Sequence, residues 1–372
     1  MKAFTSSSCT AGGLLAGIAA LLIAPAAAAD RQWQGIPGIE RTGGGRLFVS
    51  WFSGGPREPD PHNMVLVTTS DDGGETFAEP EILAEPRDGA RAFDPTLWID
   101  PAGTLHLIYN RGNPSAQAHD VWTRLCREPD ATPPDWTAEE RLELAAPYAF
   151  RMNKPTVLRS GVWVLPVTHA AAPVSDWFAG DRQLQGVALS ADEGKSWSLH
   201  GAIKAPPWAL ENMVIERKDG SLWMLIRTDG GELWESLAHD AGRTWTEGKP
   251  SGIKTPGSRF FIRRLSSGNL LLINHVGFAV TGKLGTARSH LTAQISADDG
   301  KTWSTGLLLD EREGVSYPDA IESPDGTIFA VYDRDRGGAG EILLARFTEA
   351  DAAAGSDVTG KVRLRQVVSG LR

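Results

Sequence analysis

The sequence has very little cysteine, no excess of basic residues and, beyond its first residues, no long apolar run. Its two cysteines are Cys9 and Cys126, and Cys9 lies in a segment that we expect to be removed, so no disulfide framework is predicted. The formal net charge is −9, which argues against nucleic acid or an anionic membrane as the partner. No later run approaches the length of a membrane span.

Several sequence motifs of catalytic or cofactor-binding sites are also missing. The chain contains no His-Glu-x-x-His zinc motif, no phosphate-binding Walker loop and no Gly-x-Ser-x-Gly nucleophile elbow. The glycine clusters at 43–46 and 337–340 are interpreted as turns. We therefore expect neither an organic cofactor nor an obligatory metal.

The first 29 residues have the composition of a secretory signal. Lys2 precedes an apolar stretch at 14–24, and three alanines stand before Asp30. This arrangement predicts cleavage near Ala29 and a secreted or periplasmic protein. Residues 30–372 contain no linker or composition break, so we expect a single domain there.

What the sequence does have is a repeat. A turn glycine followed by an apolar strand occurs six times, as GRLFVSW, GTLHLIYN, GVWVLPV, GSLWMLIR, GNLLLINH and GTIFAVYD. These units begin at Gly45, Gly103, Gly161, Gly220, Gly268 and Gly326, at intervals of 58, 58, 59, 48 and 58 residues. A fixed period of this length is typical of propellers and other repeat architectures.

A second signature, Ser-x-Asp-x-Gly-x-Thr-aromatic, follows four of these units. It reads SDDGGETF, SADEGKSW, AHDAGRTW and SADDGKTW, and we call each copy an Asp-box. The Asp closes a turn, the Gly supplies a positive φ, and the aromatic ring anchors the turn between neighbouring sheets. A calcium loop would need a ladder of carboxylates that the boxes lack, so their predicted role is structural.

Six units of nearly sixty residues, each with about four short strands, predict an all-β fold. The expected architecture is a six-bladed β-propeller of four-stranded antiparallel blades with Asp-box turns. The alternating C-terminal stretch KVRLRQVV is expected to complete a blade.

Polar residues recur at one position of this repeat. Nine residues before the turn glycine, or seven in the third unit, stand Ile36, Asp94, Lys154, Glu211, Arg259 and Tyr317. The innermost strands of a propeller converge on its axis, so these side chains are expected to ring a central pocket. Neighbouring strand ends on the same face add His62, His169, Arg182, Arg227 and Arg288. The convergence predicts a site for a polar ligand.

The Asp-boxes, the axial residues and the hairpin spacing together resemble the sialidase (neuraminidase) superfamily of BNR-repeat proteins, over essentially all of residues 30–372. The resemblance implies that Tyr317, in SYPDAIESPDGTI, is the nucleophile. Glu211, in LENMVIERKDGSLWMLIR, would activate it. Arg227 and Arg288 match two arginines of the triad that binds substrate in this superfamily.

The same resemblance places the acid/base carboxyl in the loop after the second strand of blade one. Asp60 fits that position best, with Glu58 and His62 nearby. One feature departs from the family: its first blade begins Phe/Tyr-Arg-Ile-Pro, and here the motif reads QGIPGI, with Gly35 in place of the arginine. The change removes up to two charge-assisted hydrogen bonds of roughly 1.5–3 kcal/mol each.

This loss argues against sialic acid as the substrate unless Arg259 or Lys154 substitutes for the missing arginine. The first hypothesis is therefore an exported, retaining exo-glycosidase that acts on an acidic sugar. Tyr317 would attack after Glu211 takes its proton. A carboxyl on Asp60 or Asp94 would protonate the leaving oxygen. The charge of the sugar would be held by Arg227, Arg288 and Arg259.

Two alternatives stay open at this stage. The same residues could catalyse β-elimination from a uronate, with Tyr317 or His169 as the base. The chain could also be a non-catalytic glycan-binding propeller, in which Trp177 and Phe178 stack on sugar rings. All three hypotheses make a carbohydrate the partner.

Overall fold

The computed structural model describes Met1 and residues 31–113, 119–144, 149–150, 153–170, 183–205, 208–278 and 288–371. This part of the chain is almost entirely β-structure, in six antiparallel sheets arranged as the blades of a propeller. Its one helix, α1 (Glu349–Ala354), begins at the capping residue Thr348 and ends at Gly355. The predicted six-bladed, all-β architecture is thus confirmed. The predicted signal at 1–29 lies, apart from Met1, outside the described residues.

Each blade is built from consecutive strands. Blade one contains β1 (Gln34–Arg41), β2 (Leu47–Ser53), β3 (Met64–Ser70) and β4 (Glu81–Ala84). Blade two contains β5 (Arg91–Ile99), β6 (Leu105–Gly112), β7 (His119–Cys126) and β8 (Glu140–Arg141). Blade three contains β9 (Ala149–Phe150), β10 (Thr156–Val157), β11 (Trp163–His169), β12 (Leu184–Ser190) and β13 (Ser198–Ile203).

Blade four contains β14 (Ala209–Glu216), β15 (Leu222–Thr228), β16 (Glu232–Ala238) and β17 (Lys249–Lys254). Blade five contains β18 (Phe261–Arg264), β19 (Leu270–His275), β20 (Leu291–Ser296) and β21 (Leu307–Asp310). Blade six contains β22 (Val315–Glu322), β23 (Thr327–Arg334), β24 (Glu341–Thr348) and β25 (Arg363–Ser369). The C-terminal stretch completes the sixth blade as its outer strand, as its alternation predicts.

The third blade differs from the others in its innermost strand. Two short strands pair with β11 there: β9 with its end at Thr168 and His169, and β10 with its beginning at Trp163 and Val164. The sequence signal for this difference is the shorter interval, seven residues instead of nine, between Lys154 and its turn glycine.

The Asp-boxes form the hydrogen-bonded turns that the sequence predicts. In the first box Asp72 accepts from the backbone N–H of Thr76 at 2.9 Å and from its hydroxyl at 2.6 Å. Ser70 donates to Asp72 and accepts from Gly74 N–H. The bonds to the Thr or Ser at the seventh position of the box recur at Asp192, Asp240 and Asp298. These contacts are local, so each box stabilises its own turn.

The aromatic residue of each box packs between two sheets. Phe77 contacts a buried cluster that includes Leu47 of blade one and Leu344 of blade six. Trp245 likewise contacts a cluster shared by blades three and four, which includes Val187 and Leu222. The aromatic rings of the boxes therefore join adjacent blades, as the pattern predicts.

The axial positions lie at the opposite strand ends from the boxes. In blade one, Gln34 at the axial end of β1 pairs with Ser53, and Ser53 pairs with Met64. Ser70, the first residue of the box, pairs with Leu47 at the other end of β2. The residues that the repeat places at the axis and the Asp-boxes consequently lie on opposite faces of the propeller.

Four inner strands share an irregularity at the axial position. The pairing register shifts at this point in β1, β5, β14 and β22. At each shift one non-glycine residue adopts a left-handed backbone, with φ of 59° at Ile36, 50° at Asp94, 63° at Glu211 and 55° at Tyr317. Such bulges bend a strand and re-aim a side chain, and their strained backbone is typical of functional sites.

The ring closes where blade six meets blade one. Gln34 donates its backbone N–H to the carbonyl of Arg336 at 3.1 Å, and its side chain donates to the carbonyl of Gly340. Farther out, Arg346 forms an ion pair with Glu75. Among the described residues, no helix is both long and apolar enough to cross a membrane.

Candidate functional site

Tyr317 lies at the centre of the axial site. Its side chain is 5% exposed, and its hydroxyl donates to Glu211 Oε1 at 2.8 Å. Arg227 Nη1 donates both to the Tyr317 hydroxyl, at 2.7 Å, and to Glu211 Oε1. The bulges of β14 and β22 thus bring a phenol, a carboxylate and a guanidinium from two blades into one hydrogen-bonded group.

The electrostatics of this group make Glu211 a suitable base for the phenol. Burial raises the pKa of Tyr317 to about 12, and the charge of Arg227 opposes that rise. A phenol with this pKa stays protonated at neutral pH, so it needs a base within hydrogen-bonding distance before it can attack. Glu211 Oε1 occupies that position. Its other oxygen, Oε2, is buried and has no hydrogen-bond partner among the described residues.

Three guanidinium groups follow one another around Tyr317, and we call Arg227, Arg288 and Arg336 the arginine arc. Arg227 and Arg288 both donate to the carbonyl of Gly257, at 2.8 and 2.9 Å. Arg288 and Arg336 both donate to the hydroxyl of Ser316, at 3.5 and 3.2 Å. The three charges are therefore linked through two shared acceptors.

The arginine arc lies close to the reactive residue. The guanidinium carbons lie 4.2 Å (Arg336), 5.3 Å (Arg288) and 5.6 Å (Arg227) from the centre of the Tyr317 ring. Burial lowers the pKa of Arg288 to about 10, which leaves it charged at neutral pH. Burial also acts against the charge of Arg336, but Asp333 offsets this and its pKa is raised overall.

Sequence reasoning missed Arg336, which lies just beyond β23. Its Nε donates to Asp333 at 2.9 Å and its Nη1 to Glu58 at 3.4 Å. A side chain on Gly35 would meet it, because a Cβ there would be 2.8 Å from Arg336 Cδ. The resemblance identifies Gly35 as a departure from the family's first-blade motif, but nothing in the sequence connects this position to Arg336.

Arg259, the axial residue of blade five, lies beneath the ring of Tyr317. Its guanidinium carbon is 5.2 Å from the ring centre. It donates to the carbonyls of Pro37, Tyr317 and Pro318, at 2.9, 3.3 and 3.4 Å. These bonds tie the inner strands of blades one, five and six together, so Arg259 supports the backbone that presents Tyr317.

Asp94, the axial residue of blade two, is a buried carboxyl near other charges. Burial raises its pKa to about 8, the nearby Glu58 contributes in the same direction, and Arg91 opposes both. At neutral pH this side chain is therefore mainly protonated, which is the form that a general acid needs.

The loop of blade one places Asp60 and Glu58 differently. Asp60 Oδ1 accepts from the backbone N–H of His62 at 2.9 Å and contacts its Nδ1 at 2.8 Å. The His62 side chain is 78% exposed. Glu58, by contrast, contacts Arg336 of the arginine arc. Glu58 is thus connected to the site by a contact and Asp94 by its electrostatic interaction with Glu211 and Arg259, whereas the described side-chain contacts of Asp60 and His62 stay within their own loop.

The structure does not bring Lys154 to Tyr317 as a substrate-binding residue. Its ammonium is buried farther along β1 and β22, where it contacts Asp319 at 3.2 Å and Glu40 at 3.5 Å. It also donates to the carbonyl of Ile39. The contacts of its ammonium are thus with residues of β1 and β22 that lie beyond the axial positions, and none of the described contacts joins it to Tyr317.

His169 also differs from its predicted position. Its Nε2 contacts the carbonyl of Gly201 on β13 at 2.9 Å, and a Cβ on Gly186 would lie 3.2 Å from the same atom. The imidazole therefore points along its own blade, into space left by two glycines. The other predicted residues of blade three, Arg182, Trp177 and Phe178, lie outside the described residues.

The described residues include no group of three or more His, Cys, Asp or Glu side chains that could hold a metal ion. In the described residues, guanidinium groups instead outnumber carboxylates around the Tyr317 phenol. Such a site can bind an anion beside a nucleophile.

The family model described as a BNR repeat-like domain matches residues 45–330. Comparison with curated protein sequences found no significant match.

Solved structures share the architecture at low sequence identity. NanB sialidase from Streptococcus pneumoniae is 13% identical with a TM-score of 0.65, covering 87% of this chain and 70% of its own. The intramolecular trans-sialidase from Ruminococcus gnavus is 14% identical with a TM-score of 0.64, covering 86% and 95%. An α-L-arabinanase from Penicillium chrysogenum is 13% identical with a TM-score of 0.59, covering 86% and 94%. At these identities the similarity establishes the fold alone.

Proposed function

The chain belongs to the BNR repeat-like family, and on that premise we propose that it is a glycoside hydrolase that cleaves an acidic sugar through Tyr317. One observation carries the proposal: the Tyr317 hydroxyl is hydrogen-bonded to Glu211 and to Arg227 inside a buried site. A structural tyrosine would not need a buried carboxylate and several guanidinium groups around it. A nucleophile does, because its proton must leave and the charge that develops must be stabilised.

In the proposed first step Tyr317 Oη attacks the anomeric carbon while Glu211 takes the phenolic proton. The bond from that carbon to the leaving oxygen breaks, and a covalent glycosyl–tyrosine intermediate forms. Arg227 holds Glu211 Oε1 and the phenol together, so the proton moves along a hydrogen bond that already exists. Water then attacks the intermediate, and Glu211 returns the proton to Tyr317.

The leaving oxygen needs a proton of its own. Asp94 is the best-supported donor, because its raised pKa of about 8 keeps it protonated at neutral pH. Microscopic reversibility then makes the same group the base that activates water in the second step. Burial is the main cause of this raised pKa, the nearby Glu58 adds to it, and Glu58 is bound in turn by Arg336.

An acidic substrate follows from the charges of the site. A neutral phenol avoids the repulsion that a carboxylate nucleophile would exert on an anionic sugar. The arginine arc and Arg259 supply four positive charges, whereas Glu211, Asp333 and Glu58 supply three negative ones when Asp94 is protonated. A bound anion would balance the difference.

Incubation with a panel of sialylated and uronate-containing glycans tests the proposal. We expect released sugars whose total mass has increased by one water, and no such release by the Tyr317→Phe protein. Elimination would instead give an unsaturated, ultraviolet-absorbing product. No product across the panel would support a glycan-binding protein and contradict the proposed hydrolase.

We further propose that residues 1–29 direct export of the enzyme. The support is the charge and apolar pattern of that segment. N-terminal sequencing of the exported protein is expected to begin at Asp30. Retention of the segment, or recovery of all protein inside the cell, would contradict export.

A further inference from the structure

Arg336 occupies space that only a glycine at position 35 leaves open. A Cβ on Gly35 would lie 2.8 Å from Arg336 Cδ, 2.9 Å from Nε and 3.0 Å from Cγ. Contacts under 3.0 Å do not occur at real Cβ atoms, so any other residue there would displace the arginine. The glycine is therefore a spatial requirement for the position of this guanidinium group.

The guanidinium is fixed from several sides rather than free to move. Asp333 accepts from Nε at 2.9 Å, Ser316 from Nη2 at 3.2 Å and Glu58 from Nη1 at 3.4 Å. The backbone of the loop is fixed as well, because the carbonyl of Arg336 accepts from Gln34 N–H at 3.1 Å, beside Gly35. A side chain held in this way binds with little further loss of conformational entropy.

We propose that Arg336 is the third arm of a carboxylate-binding clamp formed by the arginine arc, and that Gly35 is retained to make room for it. The positive charge absent from the first strand of blade one is thus supplied by the loop after β23, from the neighbouring blade. This inference rests on the proposed function, which makes Tyr317 the nucleophile.

The position of the arc restricts the substrate. Arg227 Nη1 lies 2.7 Å from the Tyr317 hydroxyl, and the three guanidinium carbons lie within 5.6 Å of its ring centre. A carboxylate held by the arc therefore lies within a few bonds of the carbon that Tyr317 attacks. The substrate class is a sugar acid whose carboxylate is attached to the reacting carbon, as in N-acetylneuraminate, or across the ring oxygen from it, as in glucuronate.

The side-chain bonds of the arc leave donors for such a carboxylate. The Nε–H groups of Arg227 and Arg288 are buried without a hydrogen-bond partner among the described residues. Buried donors are normally satisfied, so an acceptor at this place would improve their hydrogen bonding. Ser316, which contacts both Arg288 and Arg336, keeps these two charges together despite their repulsion.

A binding experiment separates this inference from catalysis. All variants are made in the Tyr317→Phe protein, which removes the proposed nucleophile. Affinity is measured by calorimetry for N-acetylneuraminate and for glucuronate, with the methyl ester of each as an uncharged control. We expect at least one free acid to bind more tightly than its ester.

Arg336→Gln is expected to weaken binding of that acid by roughly 10- to 100-fold and to leave binding of the ester almost unchanged, because one charge-assisted contact is lost. Gly35→Ala removes no charge, yet it should weaken binding of the acid by about tenfold by displacing Arg336. Gly43→Ala is the matched control, because a Cβ at Gly43 meets no atom within 4 Å.

A variant that exchanges the residues at positions 35 and 336 tests the inference in the opposite direction. The double variant Gly35→Arg with Arg336→Gly returns the guanidinium to the first strand and should recover part of the affinity lost in Arg336→Gln. Equal preference for acid over ester in Arg336→Gln and in the parent would overturn the inference, as would equal affinities of acid and ester in the parent. Loss of turnover by Tyr317→Phe with unchanged acid binding in Arg336→Gln would retain the proposed enzyme and remove only this role.

Discussion

Asp298 belongs to an Asp-box and Tyr317 to the axial site, and the two lie in neighbouring blades at opposite strand ends. Each occupies a fixed position of the repeat. At the Asp-boxes the repeat keeps the Asp, the Gly and a hydroxyl residue, and each Asp bonds only to its own turn. At the axial positions the residue changes from blade to blade, and the contacts cross between blades. A repeated function can be performed locally in every unit. A single site that the blades build together needs a different residue from each blade.

The two regions also treat charge in opposite ways. The box aspartates lie at the surface, where Asp72 is exposed and the other three are half-buried. Hydrogen bonds from the Ser196 hydroxyl and backbone lower the pKa of Asp192 to about 2. At the axis, burial raises the pKa of Asp94 to about 8 and that of Tyr317 to about 12. Local bonds therefore fix the boxes as anions, whereas desolvation at the axis keeps acids protonated and poised to transfer protons.

The largest expected effect is the loss of the axial phenol. Tyr317→Phe should lower kcat/KM by more than about 1000-fold, because no other residue can form the covalent intermediate. Tyr332→Phe is the matched control, since Tyr332 is also a buried tyrosine of blade six and donates to Asp310 at 3.2 Å. Its activity should stay near that of the parent. Comparable activity of both variants would contradict a nucleophilic role for Tyr317.

Asp94→Asn tests the proton donor. For substrates with an alkoxide leaving group we expect roughly 10²- to 10⁴-fold lower kcat/KM, and a much smaller loss for aryl glycosides, whose leaving group needs no proton. In the parent protein the rate should fall as pH rises through about 8, where Asp94 ionises. Full activity of Asp94→Asn on both substrate types would assign the acid to another carboxyl, with Glu58 the next to test.

The same residue should affect stability with a defined sign. Because the folded-state pKa of Asp94 is raised above the ordinary value of about 4, the folded protein binds this proton more tightly than the unfolded chain. The contribution of Asp94 to the free energy of unfolding should therefore decrease as pH rises from about 4 to about 8. Denaturant titration of Asp94→Asn should show a shallower decrease over that interval. An unchanged pH dependence would contradict the raised pKa.

Lys154→Met distinguishes a structural role of Lys154 from the substrate contact that the sequence predicts. Removing the ammonium leaves Glu40 and Asp319 buried without their partner, which should lower the free energy of unfolding by about 3–5 kcal/mol. Denaturant titration measures this change. Carboxylate affinity of the folded variant should stay within about twofold, and a selective loss of affinity at full stability would restore Lys154 to the site.

The smallest effect is expected at a box. Asp298→Asn should lower Tm by a few degrees and leave kcat/KM unchanged, because its bonds are confined to Ser296 and to residues 301–302. Calorimetry and a standard assay measure both quantities. A large loss of activity at unchanged Tm would show that the boxes and the axial pocket are coupled.

Several features of the fold and the site could be predicted from local sequence. The box residues contact one another within a few positions, so their pattern shows their geometry directly. The axial set could be found by counting from the turn glycine, because the axial residue stands nine residues before it in five blades and seven before it in blade three. The prolines after Ile36, Asp94 and Tyr317 are a further signal, since proline is tolerated at a bulge where no ladder N–H is needed.

The side-chain positions of Lys154 and His169 and the part played by Arg336 were not predicted, and the cause is the same for all three. The repeat correctly indicates that Lys154 is axial, but not how far along the axis its flexible side chain reaches. His169 ends β11 as expected, yet two glycines on neighbouring strands provide space inside the blade. Arg336 lies just beyond a strand that the repeat predicts, and its position depends on contacts with blade one that no local pattern encodes.

The sequence by itself determined the number of blades, the boxes and the residues at the axial position, because period, turn chemistry and apolar alternation are local properties of the chain. Only the tertiary structure decided which of the charged residues meet. Closure of the ring brings the loop of Arg336 against Gly35 of the first strand, and the bulges aim Tyr317 at Glu211. These contacts join residues far apart in the chain, so they exist only once all the blades are assembled.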